Sequence, residues 1–162
     1  MANLQLISSL ACIALAFAGG IFTVLSVLER PVWPLMRDPE ATVVSDDAAR
    51  DMHVQLNRFI KILPPSMMTT MASAAVLLCL QVWLSGWAVW AWAVLTVFIV
   101  LMVLVASTLM SRIRAVDGKP ADGPARTVRT GVGRLAAVHH MGLAQVVVVL
   151  AAQLVGSTLS AT

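Results

Sequence analysis

The sequence predicts an all-α fold: a four-helix transmembrane bundle, with an interfacial amphipathic helix in the first charged loop, as one membrane domain over residues 1–162. Three observations lead there. With 59% hydrophobic and 12% charged residues and a mean hydropathy of +0.88, the chain has too little polar surface to cover a soluble globule. Four charge-free runs are each long enough to cross a hydrocarbon core about 30 Å thick at a rise of about 1.5 Å per residue. All eleven Lys and Arg and all eight acidic residues fall between runs one and two or between runs three and four.

The first span runs from about Leu4 to Leu28. It has no basic flank and no A-x-A cleavage site, which excludes a signal peptide. Ser8, Ala11, Cys12, Gly19, Thr23 and Ser26 share one face with Leu15, and this small-residue face suits close helix contact in lipid. After Glu29 and Arg30, the prolines 31, 34 and 39 make the chain irregular. Ser45 or Asp46 then caps a helix whose apolar face is Met52, Leu56, Phe59 and Ile60, read as lying at the inner interface. Pro64 and Pro65 end or kink it. The second span, about Pro65 to Leu84, carries Ser66, Thr69, Thr70 and Ser73 as a second bundle-facing stripe. A tight Ser85-Gly86 hairpin leads into the third span, about Trp87 to Met110, and Trp83, Trp87, Trp90 and Trp92 form an aromatic belt there. The Gly, Pro and Arg-rich stretch SRIRAVDGKPADGPARTVRTGVGR reads as a mobile loop whose basic residues set topology. The fourth span covers about Leu135 to Leu159.

Lys and Arg accumulate on the cytoplasmic side of membrane proteins, so both charged loops are expected in the cytoplasm and both termini outside, in the inner (plasma) membrane. The net charge of +3, confined to those loops, suits anionic lipid headgroups, and no nucleic-acid motif is present. The expected surroundings are the bilayer, a hydrophobic small molecule, and further copies or partner membrane subunits.

Chemistry centres on AVHHMGLAQ at the start of the fourth span. With Gly142 at zero and about 100° per residue, His139 lies at about +60°, Gln145 at about −60°, Val149 at about −20°, Gln153 at about +20° and Gly156 at about −40°. Two glutamines on one face are costly against lipid, so this face should look inward. His140, at about 160°, belongs on the opposite side, at the headgroup boundary. Glu29, Arg30, His53, Asn57, Arg58 and His139 all fall at the same end of the bundle, where they could converge. Two roles stand open for His139: a helix-start histidine bonded to a loop carbonyl, or a group for proton transfer, substrate orientation or ligation. For His53 they are a solvated interfacial residue or a member of that cluster. Met67, Met68 and Met71 read as packing residues rather than copper(I) ligands. Cys12 and Cys79 read as two buried thiols, with a disulfide as the alternative. If haem or a metal is bound, His139 and His53 are the pair that would hold it, and no specific cofactor is assigned.

The stretches AGGIFTVLSVLERPVWPLM and MHVQLNRFIKILPPSMMTTMASAAVLLCL, with Met52, Asn57 and Arg58 entering the second helix and His139 or His140 opening the last, resemble the anthrone-oxygenase-like family of small four-span membrane proteins. That resemblance implies an oxidoreductase of the cofactor-independent oxygenase kind, acting on or binding a hydrophobic aromatic or quinone-like molecule. In it, His139 or His53 would remove a proton and Arg30 or Arg58 would stabilise the oxyanion, with Glu29, Asn57 and Gln145 in contact with substrate. Gln55 and Asn57 also resemble the second-helix opening of the membrane-associated eicosanoid and glutathione metabolism family, with Ile60 where that family carries glutamate. A non-catalytic transmembrane subunit of a larger complex, and a haem- or copper-binding membrane protein, are the readings from other classes.

Overall fold

The computed structural model describes residues 2–159. The chain ends Met1 and Thr162, on which the expected orientation turns, lie outside them. The architecture is four helices, α1 (Ala2–Leu28), α2 (Asp46–Leu84), α3 (Val89–Ile113) and α4 (Ala125–Leu159), with a 3-10 segment at Arg30–Met36. All four are long and apolar enough to cross a membrane, as in a multi-pass membrane protein. Neighbours follow the order α1, α2, α3, α4 around the bundle; α2 and α4 also touch, while α1 and α3 do not.

Two helices exceed their expected spans. At about 1.5 Å per residue, the 39 residues of α2 and 35 of α4 reach well beyond a core of about 30 Å. The amphipathic helix expected in the first loop is present, but it runs unbroken through Pro64 and Pro65 into the second span. A membrane helix tolerates such prolines because neighbouring groups can satisfy the carbonyls they free. Ser45 caps α2 by accepting from the Ala48 amide at 3.2 Å, with Asp46 and Asp47 in the positive first turn.

The protruding halves build a second core. Ala11, Leu15, Ala74, Leu78, Val94, Phe98 and Val146 are among the side chains filling the bundle. Val32, Leu35, Met52, Leu56, Val116, Val132 and Leu135 are among those filling a separate layer beside the charged loops. Gly133 makes that layer possible, since a Cβ there would overlap the Leu35 carbonyl. The last ten residues of the stretch read as a mobile loop, 125–134, are the first turns of α4, and they tie down the first loop. Arg129, 8% exposed, donates to the carbonyls of Pro39 at 2.6 Å, Ala41 at 2.6 Å and Val44 at 2.8 Å, and to Asp46 Oδ1 at 2.9 Å. A residue expected to serve only topology therefore binds the first loop to α4.

The inward face of α4 is as expected, with Gly142, Gln145, Val149, Gln153 and Gly156 buried. The α2 stripe is not. Ser66, Thr69 and Ser73 are exposed, their hydroxyls bonded to the Leu63, Pro65 and Thr69 carbonyls of their own helix at 2.9 Å. A hydroxyl satisfied that way does not need the bundle interior, and Ala74, Leu78 and Gln81 are the α2 residues that take it. At the hairpin, Trp87 stacks on Trp92 at 5.7 Å. Trp90 instead packs on Gly156, so only part of the tryptophan group faces outward.

Candidate functional site

The last turn of α1 puts Ser26 and Glu29 on one side, three residues apart, and α4 lays its two histidines against them. Glu29 Oε1 is 2.6 Å from His139 Nδ1, and the carboxyl side chain is 1% exposed. With the carboxyl ionised, Nδ1–H donates to it and the imidazole lone pair sits on Nε2. That nitrogen has no partner among the described residues and is not sealed from its surroundings. The other carboxyl oxygen, Glu29 Oε2, is buried without a partner.

His140 is used up instead. Its Nδ1 lies 2.9 Å from the Ala136 carbonyl, which takes the ring proton, and its Nε2 lies 2.9 Å from Ser26 Oγ. Trp33 meets the ring edge-on at 5.3 Å and donates from Nε1 to the Ser26 carbonyl at 3.0 Å. His140 was expected at the headgroup boundary; it is half-buried, because the 3-10 segment turns Trp33 back over it. The two histidines do point apart, yet both clasp the end of α1.

His139 opens onto a cavity of about 140 Å³. All four helices line it, among them Phe22 and Leu25 of α1, Ile60 and Met67 of α2, Ile113 of α3 and Leu135 of α4, and His139 is its one polar residue. Phe22 and Met67 pack on the bundle core, whereas Ile60, Ile113 and Leu135 belong with the loop-side core. The cavity is thus the seam between the two cores. On its α2 and α3 sides Met68 and Met110 are 72% and 56% exposed, so the mouth lies between those helices. The tip of the Phe22 ring abuts α4 because residue 142 is glycine; a Cβ there would overlap it.

The expected convergence divides. Glu29 and His139 meet. His53, expected to be solvated, is 1% exposed and bonds through Nε2 to the Lys119 carbonyl at 3.0 Å, with Asn57 Nδ2 donating to the same oxygen at 3.4 Å. The loop carbonyl considered for His139 therefore belongs to His53. Arg30 and Arg58 are exposed and do not line the cavity. Gln145, 4% exposed, is deeper on the same face as His139, and its Nε2 is buried without a partner. Toward the hairpin end, Gln81 and Gln153 exchange amide hydrogen bonds of 3.0 and 2.6 Å, and Gln153 Nε2 also donates to Ser8 Oγ at 2.8 Å.

Sequence reasoning did not find Phe22, Trp33 or the Gln81 to Gln153 link. The signal for the last was present, since a glutamine inside an apolar span demands a polar partner. Cys12 and Cys79 are free, and Cys79 is exposed rather than buried. Among the described residues no three His, Cys, Asp or Glu stand together as metal ligands. No family model, no curated protein and no solved structure matches the chain.

Proposed function

We propose that the protein takes a phenol-type aromatic molecule from the lipid phase into this cavity and removes its hydroxyl proton, with His139 as base and Glu29 as the group that orients and balances it. The observation that carries this is the Glu29 to His139 pair, at 2.6 Å, supplying the single polar point of an apolar cavity. An apolar space of about 150 Å³ is enough for one benzene-sized ring. A ring hydroxyl donating to Nε2 satisfies the one free valence, and no second hydrogen-bonding group is met there. Proton transfer leaves a phenolate beside an imidazolium, which the buried Glu29 carboxylate favours. His139 itself, rather than Arg30 or Arg58, faces the developing oxyanion. The resemblance to the anthrone-oxygenase-like family extends this reading to reaction of the phenolate with dioxygen.

Oxygen uptake by purified protein supplied with single-ring phenolic substrates tests it. His139→Ala should abolish the protein-dependent rate while His140→Ala retains it. Equal rates for wild type and His139→Ala would remove the assignment.

A further inference from the structure

The net charge of +3 is not shared between the two charged segments. Residues 29–61 hold five Lys and Arg against six Asp and Glu, whereas residues 112–134 hold six against two. The whole positive excess therefore lies on the exit from α3 and the first turns of α4. Within it, Arg129 spends its guanidinium on the first loop, Arg112 donates to the Arg134 carbonyl at 3.1 Å, and Arg126 meets Glu40 at 3.2 Å in an exposed pair. The side chains of Lys119 and Arg134 have no anionic partner among the described residues.

Lys119, Arg126 and Arg134 line one open cleft of about 280 Å³ between α4 and the turn after α3, and no acidic residue lines it. Arg126, Thr130 and Arg134 follow at four-residue spacing, so they share one face of α4. The wall opposite is held in place. A Cβ at Gly131 would sit 3.1 Å from the Ala115 carbonyl, so the glycine lets α4 close on the turn. The Lys119 carbonyl accepts from His53 Nε2 at 3.0 Å and from Asn57 Nδ2 at 3.4 Å. The buried His53 thus fixes the backbone from which Lys119 reaches the cleft. Cations gathered around one hollow repel one another, and a cleft lined by one sign of charge focuses the field that draws in a counter-ion.

Its level in the bundle says which anion. Leu135, beside Arg134, and Ile113, beside Arg112, both line the apolar His139 cavity, so the Arg134 end of the cleft stands where the apolar part of the bundle ends. The headgroup layer begins at that level, and basic pockets between spanning helices there suit anionic headgroups. We infer that the cleft binds the phosphate of an anionic phospholipid, with Arg134 and Lys119 on its oxygens and the Thr130 hydroxyl donating to it. The forked guanidinium of Arg134 matches two phosphate oxygens at once. A zwitterionic headgroup would bring its own cation among the three and is disfavoured.

The test is native mass spectrometry of the full chain from detergent micelles carrying phosphatidylglycerol or phosphatidylcholine at equal mole fraction. Wild type should retain one phosphatidylglycerol per chain, about tenfold or more tightly than phosphatidylcholine. Replacing Lys119 and Arg134 together by alanine should weaken phosphatidylglycerol binding about 25-fold, near fivefold for each cation. Arg37→Ala with Lys61→Ala removes the same charge from exposed positions outside the cleft and should stay within about twofold of wild type. Lys119→Arg with Arg134→Lys keeps both charges and should bind within about threefold, which separates loss of the site from loss of the fold. Equal retention of the two lipids by wild type, or equal losses in the two alanine variants, would overturn the site and leave only diffuse attraction. Micromolar inorganic phosphate should leave the lipid in place; displacement by it would overturn the lipid assignment and give the cleft to a soluble phosphate compound.

Discussion

Two polar clusters interrupt the apolar interior, one near each end of the bundle. Toward the hairpin, Gln81 and Gln153 are both fully buried and spend their amides on each other and on Ser8. Toward the charged loops, Glu29 and His139 share one short bond and leave Nε2 and Oε2 without partners. Both clusters join α4 to α1, and both consist of polar side chains in a place that penalises them. The difference is remaining valence. A closed set of hydrogen bonds can only hold helices in register, whereas an open one can take a ligand or a proton. His140 is the internal control, a histidine beside the open pair with both nitrogens engaged.

The contrast breaks most severely at the base. His139→Ala should lower turnover of a phenolic substrate about 10³-fold, the range for removing a general base, while unfolding in mixed micelles stays close to wild type. Glu29→Gln keeps the shape but loses the charge that orients the ring and balances the imidazolium, and a drop of about 10- to 100-fold in the same assay is expected. At the other cluster the readout is stability. Gln153→Leu leaves Gln81 buried and unpaired and should cost about 2 kcal/mol in denaturant titration, with phenol binding unchanged. Replacing both glutamines by leucine should be milder than replacing one, since no polar group is then stranded; a double variant as unstable as the sum of the singles would show that the pair is not a closed unit. The smallest effect on turnover belongs to His140→Ala, within about twofold of wild type, while stability falls by about 1 kcal/mol for each of the two neutral hydrogen bonds lost. A turnover loss matching that of His139→Ala would erase the distinction between the histidines.

Much of this was legible in the chain. The four apolar runs required four helices, and the rotation of about 100° per residue placed Gly142, Gln145 and Gln153 on a buried face before any partner was known. Charge marks where a helix leaves lipid, not where it stops, so α2 and α4 ran past their expected limits into the loop layer. The Ser66, Thr69 and Ser73 stripe misled because a hydroxyl can bond its own helix and face outward. Nothing local distinguishes Arg129, which ties three loop carbonyls, from Arg58, which is exposed.

By itself, the sequence determined the spanning helices, the inward face of α4 and the presence of Glu29 and three histidines at the charged end, because length, periodicity and charge are local properties. Only the tertiary structure decided which histidine lines the cavity with an unpartnered nitrogen: His53 Nδ1 also lacks a partner but is buried away from it. Glu29 and His139 are 110 positions apart, and their meeting depends on the loop-side core drawing the 3-10 segment, α2 and α4 together. The cavity has the same origin, since it exists where two separately packed cores meet without filling the space between them.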